Sequence, residues 1–121
     1  MLNSRIRSFG YAFNGLAHLF KSQVNARIHL VAAIVVMALA WLCNVSTIEW
    51  CLLLLCIGLV IAAEAINTSL EALTDLASPD YHPLAKKTKD LSAAGVLILA
   101  IAAAIIGLII LGPPLANMVM E

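Results

Sequence analysis

The chain has 121 residues, of which 63% are hydrophobic and 12% charged, with a mean hydropathy of +1.01 and no formal net charge. A soluble domain carries about twice that charged fraction, so the composition excludes an ordinary water-soluble enzyme. It also gives no reason to invoke nucleic acid, because the basic residues are accounted for as flanks of apolar segments.

In chain order, the first element is amphipathic. Ile6, Phe9, Phe13, Leu16 and Phe20 recur at steps of three and four, while Arg5, Arg7, Asn14 and Lys21 lie mostly elsewhere. This predicts a helix over about residues 3–25 on the cytoplasmic membrane surface, either a simple anchor or a helix that also builds the active site. It is too long for a cleavable signal, and so is the apolar run after it.

Three spans are predicted next. The first covers about residues 28–45 and includes HLVAAIVVMALAWLCNV; the second covers 50–75, starting near Trp50 and running through CLLLLCIGLVIAA. Each is long enough to cross roughly 30 Å of hydrocarbon. A polar loop, SPDYHPLAKKTKD at 78–90, precedes a third span over about 92–111, which is expected to stop at the GPP of residues 112–114. Trp41 and Trp50 flank the connection between spans one and two, where indole rings favour the interface. Cys43, Cys51 and Cys56 form no CxxC pattern and read as packing or lipid-facing residues.

Orientation follows from the basic residues. Arg5, Arg7, Lys21 and Arg27 precede the first span, and Lys86, Lys87 and Lys89 lie between the second and third. By the positive-inside rule the amino terminus and the second loop are cytoplasmic and the carboxyl terminus is outside. The fold expected is therefore an all-α integral membrane bundle: one surface helix and three transmembrane helices in a single domain.

The segment EAINTSLEALTD at 64–75 carries the chemistry. At about 100° per residue, Glu64, Asn67, Glu71 and Asp75 fall within roughly 80° of arc, forming one polar ridge. A carboxylate facing lipid costs several kcal/mol, so intramembrane acids face a bundle interior or a functional cavity. Glu64 is placed about 21 Å of helix beyond Trp50, just inside the membrane, and Glu71 about 10 Å further, near its surface. An acidic pair at the interface beside Lys89 can hold a divalent ion and nucleotide phosphates, while the deeper carboxylate can take a proton from a lipid hydroxyl. The same ridge also suits a small proton or cation transporter, or interhelical hydrogen bonding through Asn67, Thr68 and Ser69.

FGYAFNGL at 9–16, NARIHL at 25–30, AEAINTSLEALTDLASPDYHPLAKKTKD at 63–90 and the following AAGVLI together resemble the small prokaryotic diacylglycerol/undecaprenol kinase family. The resemblance covers about residues 5–111, and RIH and SPDYHPLAK bring it closer to the undecaprenol kinase branch. It implies a homotrimer in the bacterial cytoplasmic membrane with active sites shared between neighbouring subunits. It also implies MgATP as phosphoryl donor and a lipid alcohol as acceptor.

Carried over by position, Glu64 is the catalytic base, Asn67 supports it and the metal arrangement, and Glu71 is a magnesium and nucleotide ligand. Tyr11, Asp80, Tyr81 and His82 are nucleotide contacts, and Lys89 with Asp90 contacts phosphate and adenosine. Two positions depart from the family pattern. Gln23 stands where a metal-binding glutamate is usual, which keeps a carbonyl oxygen but loses the charge that Mg²⁺ favours. Arg5 lies one place from the family's arginine near nucleotide and lipid substrate, with Ser4 at the ungapped position. Gln23 leaves three alternatives: the ATP phosphates and Glu71 suffice, another acid such as Asp75 compensates, or the chain is a non-catalytic relative; the presence of Glu64, Asn67, Glu71 and Lys89-Asp90 favours an active enzyme.

Overall fold

A computed structural model describes residues 1–121 as four helices and no strand: α1 (Leu2–Ser22), α2 (Val24–Leu42), α3 (Thr47–Ala77) and α4 (Pro83–Met120). The last three are each long and apolar enough to cross a membrane. At about 1.5 Å per residue, α3 and α4 exceed a hydrocarbon core of about 30 Å by several turns. Their paired ends therefore extend past the apolar segments.

Local chemistry sets each boundary. Gln23 alone separates α1 from α2, with an extended backbone (φ −111°, ψ 113°). Arg27 reaches back across the break and donates to the carbonyls of Phe20 (3.2 Å) and Lys21 (2.9 Å), satisfying acceptors that the last turn of α1 leaves open. After α2, Asn44 adopts a positive φ of 51°. The amide of Val45 donates to Ala40 and that of Asn44 to Trp41, each at 3.3 Å, which makes a Schellman closure. Ser46 then caps α3: its Oγ accepts from the Glu49 amide at 3.2 Å, and the Glu49 carboxylate accepts from the Ser46 amide at 2.9 Å.

The bundle packs on small residues and a heptad-like seam. Ala26, Ala33 and Ala40 of α2 are buried at seven-residue intervals, which lets backbones approach closely. On α3, Leu53, Ile57, Val60, Glu64, Asn67, Glu71 and Thr74 follow alternating steps of four and three, and none is exposed. The polar ridge is thus the continuation, toward the α3–α4 connection, of the seam that packs the apolar half of the helix. Asp75, one place beyond Thr74, is exposed.

The structure corrects three expectations. The break between the first helix and the first span falls at Gln23, where only one residue leaves helical geometry. The polar connection is residues 78–82, not 78–90, because His82 caps α4 and Pro83 occupies its first turn. His82 Nδ1 accepts from the Leu84 amide at 3.1 Å, and Thr88 and the Lys86–Asp90 pair support the next turn. Pro113 and Pro114 do not end α4. They remove two donors, yet Ile110 and Leu111 before them and Leu115 after them pack on one cluster with Ala40 and Leu53, and that packing carries the helix onward. Trp50 packs against the same cluster, while Trp41 is exposed.

Candidate active site

The seam of α3 places Glu64 at 3% exposure, the one charged residue among the ten buried residues of the chain. A buried carboxylate needs a partner. His29, from α2, supplies it: its Nε2 lies 3.3 Å from Glu64 Oε1. No sequence argument singled out His29 as a site residue. Its signal was present in the RIH motif, but the pairing depends on the register between α2 and α3.

One turn beyond Glu64, Asn67 donates from Nδ2 to Glu71 Oε1 at 3.3 Å. Its Oδ1 is buried and has no hydrogen-bond partner. An unsatisfied carbonyl oxygen beside a carboxylate is a donor set suited to a hard cation, although no group of three or more acidic, histidine or cysteine side chains converges in the single chain. Mg²⁺ commonly takes one or two protein oxygens and completes its shell with phosphates and water, so Glu71 and Asn67 fit it.

Asp75, another turn along, accepts a hydrogen bond from Lys89 Nζ across the α3–α4 interface. Its carboxylate bond, opposed by desolvation and aided by the charges of Asp75 and Glu71, raises Lys89 above the ordinary lysine value. Lys89 is therefore a cation throughout the neutral range. Asp90 points elsewhere and takes Lys86 at 2.5 Å on its own helix. Adjacent positions on a helix diverge by about 100°, which is why Lys89 and Asp90 take different partners.

Lys89 closes one side of a polar cavity of about 270 Å³ at the α3–α4 turn. Asp75, Asp80, Tyr81, His82 and Lys86 also line it. His82 uses Nδ1 as a helix cap, while Tyr81 is exposed. Three of the residues expected at the nucleotide thus meet at one cavity with Lys89. Tyr11 and Arg5 line neither this cavity nor the apolar one described next; both are exposed on α1, which buries only Leu19. Counting back along antiparallel α2 and α3 from the His29–Glu64 contact sets Gln23 about level with residue 70, the depth of Glu71.

A second cavity, of about 290 Å³, runs through the apolar part of the bundle. Side chains of α2, α3 and α4 line it, including Ala33, Val60, Ala103 and Gly107, with His29 as the one ring in an otherwise nearly all-apolar wall. The two cavities lie on either side of the Glu64–Glu71 turns along α3.

Residues 10–111 match the prokaryotic diacylglycerol kinase family. An undecaprenol kinase of Bacillus subtilis is 37% identical over 114 residues, covering 94% of this chain and 93% of that protein. A diacylglycerol kinase of Synechocystis is 41% identical over 112 residues, 92% of this chain but 64% of its own length. The diacylglycerol kinase of Escherichia coli K12 is 32% identical over 106 residues, covering 88% and 87%.

Proposed function

Because this chain belongs to the prokaryotic diacylglycerol kinase family and is a membrane lipid kinase, we propose that it transfers the γ-phosphoryl group of ATP to the hydroxyl of undecaprenol or diacylglycerol. The observation that supports this is a buried carboxylate, Glu64, on a packing seam that leads to a polar cleft lined by Lys89. The proton or cation carrier and the non-catalytic relative gain no support from the family match.

In the proposed reaction Glu64 takes the acceptor's hydroxyl proton as its oxygen attacks the γ-phosphorus, and ADP leaves in line. Asp80, Tyr81 and His82 contact the nucleotide from the 78–82 connection, and Lys89 offsets phosphate charge. Asp90 and Tyr11 add nucleotide contacts. Mg²⁺, when bound, neutralises phosphate charge and would be held by Glu71 and Asn67, with Gln23 contributing at most a neutral oxygen. Phosphoryl transfer depends mainly on positioning and electrostatics, so a small bundle without a P-loop can perform it.

The site belongs to a homotrimer with active sites shared between neighbours, in the bacterial cytoplasmic membrane. α1 lies on the cytoplasmic surface, with Ile6, Phe9 and Phe13, all exposed in the single chain, entering the interface and Arg5 near the lipid substrate. The 78–82 connection is cytoplasmic and the carboxyl terminus is outside, as the basic residues indicate.

Purified protein in lipid vesicles, given labelled ATP with undecaprenol or diacylglycerol, tests the proposal directly. Glu64→Gln is expected to abolish phosphate incorporation while leaving assembly intact. Wild-type protein without product on either lipid, or Glu64→Gln with normal turnover, would refute it.

A further inference from the structure

We propose that His29 is a positioning residue for this kinase: it holds one oxygen of the Glu64 carboxylate so that the other faces the acceptor hydroxyl arriving from the apolar cavity. The inference rests on the reading of Glu64 as the base.

Three observations converge on it. Glu64 is nearly fully buried, and His29 is the one basic side chain within 4 Å of its carboxylate. A glutamate has three side-chain torsions, and a base loses rate when its oxygen points away from the proton it must remove. Second, His29 comes from α2 while Glu64 comes from α3, so the contact fixes the carboxylate against a separate helix. Third, the imidazole lines the apolar cavity as well, and it thereby stands between the base and the hydrocarbon phase that supplies a lipid alcohol.

Other charged groups near this end are engaged elsewhere. Arg27, two residues from His29, donates to carbonyls of α1. Glu71 is held by Asn67, and Lys89 by Asp75. From residue 91 to 120, α4 has no titratable side chain, and the cavity wall adds only the Cys56 thiol.

At 3.3 Å the pair stands at ion-pair distance without a formed hydrogen bond, and catalytic contacts often align only once substrate binds. With its proton on Nε2, His29 would hold Oε1 and leave Oε2 for the acceptor hydroxyl. The proton balance does not involve His29. The acceptor's O–H proton passes to Glu64, the new bond forms between that oxygen and the γ-phosphorus, and the bond from phosphorus to the β–γ bridging oxygen breaks.

The test compares two substitutions of similar size, His29→Gln, which keeps an N–H donor, and His29→Met, which has none. Both are assayed in vesicles beside wild type and Glu64→Gln, measuring kcat, KM for ATP and melting temperature. His29→Met is expected to lower kcat about ten- to hundredfold with KM for ATP nearly unchanged, and His29→Gln to recover most of the rate. His29→Met at wild-type rate would overturn the inference. So would His29→Gln as slow as His29→Met, or a rate loss in both matched by lower melting temperature and weaker ATP use, which marks packing alone. Normal turnover by Glu64→Gln would instead refute the assignment of the base itself, whatever His29 does.

Discussion

At the scale of single residues, the polar seam of α3 is graded. Glu64 is buried against a histidine, Glu71 is half-buried and tied to an amide, and Asp75 is exposed and paired with a lysine. Each step toward the α3–α4 connection adds exposure, from Glu64, the proposed base, to the charge pair of Asp75 with Lys89. Removing one member should therefore give a defect of its own kind. Glu71→Ala is expected to raise the Mg²⁺ concentration for half-maximal rate by about tenfold or more, since the oxygen of Asn67 alone is a weak ligand. Lys89→Ala is expected to raise KM for ATP by about tenfold, the loss of one charge-assisted contact of roughly 1.5 kcal/mol, with less effect on Mg²⁺ dependence. Titrating Mg²⁺ at saturating ATP, then ATP at saturating Mg²⁺, separates the two. Gln23 lies at the depth of Glu71, so Gln23→Glu is expected to lower the Mg²⁺ requirement. An unchanged requirement would show that phosphates and Glu71 suffice in this chain.

At the scale of elements, the caps carry stability in a molecule with few buried side chains. Asn44 occupies the left-handed position of the α2–α3 closure, where a β-branched side chain costs about 1–2 kcal/mol and glycine costs nothing. Asn44→Val should lower the melting temperature, and Asn44→Gly should leave it unchanged or raise it. The prolines of α4 leave the carbonyls of Ile109 and Ile110 without their helical donors. Pro113→Ala restores one donor and is expected to stabilise the protein, by up to about 3 kcal/mol, without changing turnover. Thermal melts in detergent check both.

These same features mark where reading the chain succeeded and failed. The apolar runs and the arc shared by Glu64, Asn67 and Glu71 were legible because a helix imposes one period on everything along it. The start of α4 was missed because Lys86, Lys87, Lys89 and Asp90 look like a solvated loop, although His82-Pro83 is a helix-start signal. The prolines misled for the opposite reason: a local stop signal was overridden by packing of Leu115 on residues far away in sequence. His29 could not be ranked at all, since only the register of two separate helices brings it to Glu64.

At the scale of the whole molecule, the residues proposed for the site lie apart within one chain. Glu64 and Asp75 are eleven residues apart on α3, about 16 Å along the axis, and Lys89 is bound at the level of Asp75. Arg5 and Tyr11 remain exposed on α1, away from both cavities. Much apolar surface of α1 and of the spans is likewise uncovered, and lipid or neighbouring chains must cover it. In the proposed trimer, a site pairing Glu64 of one chain with Lys89 of the next would reconcile the two proposed roles with their separation in a single chain. It predicts complementation between two inactive proteins. Glu64→Gln and Lys89→Ala chains, each severely impaired alone at low ATP, should regain lipid phosphorylation when denatured together and reassembled as mixed trimers. The recovered rate should peak near equal proportions, because that mixture maximises interfaces pairing an intact Glu64 with an intact Lys89. A rate no greater than the sum of the two separate proteins at every ratio would place the whole site within one chain, and Lys89 would then have to leave Asp75 to reach the transferred phosphate.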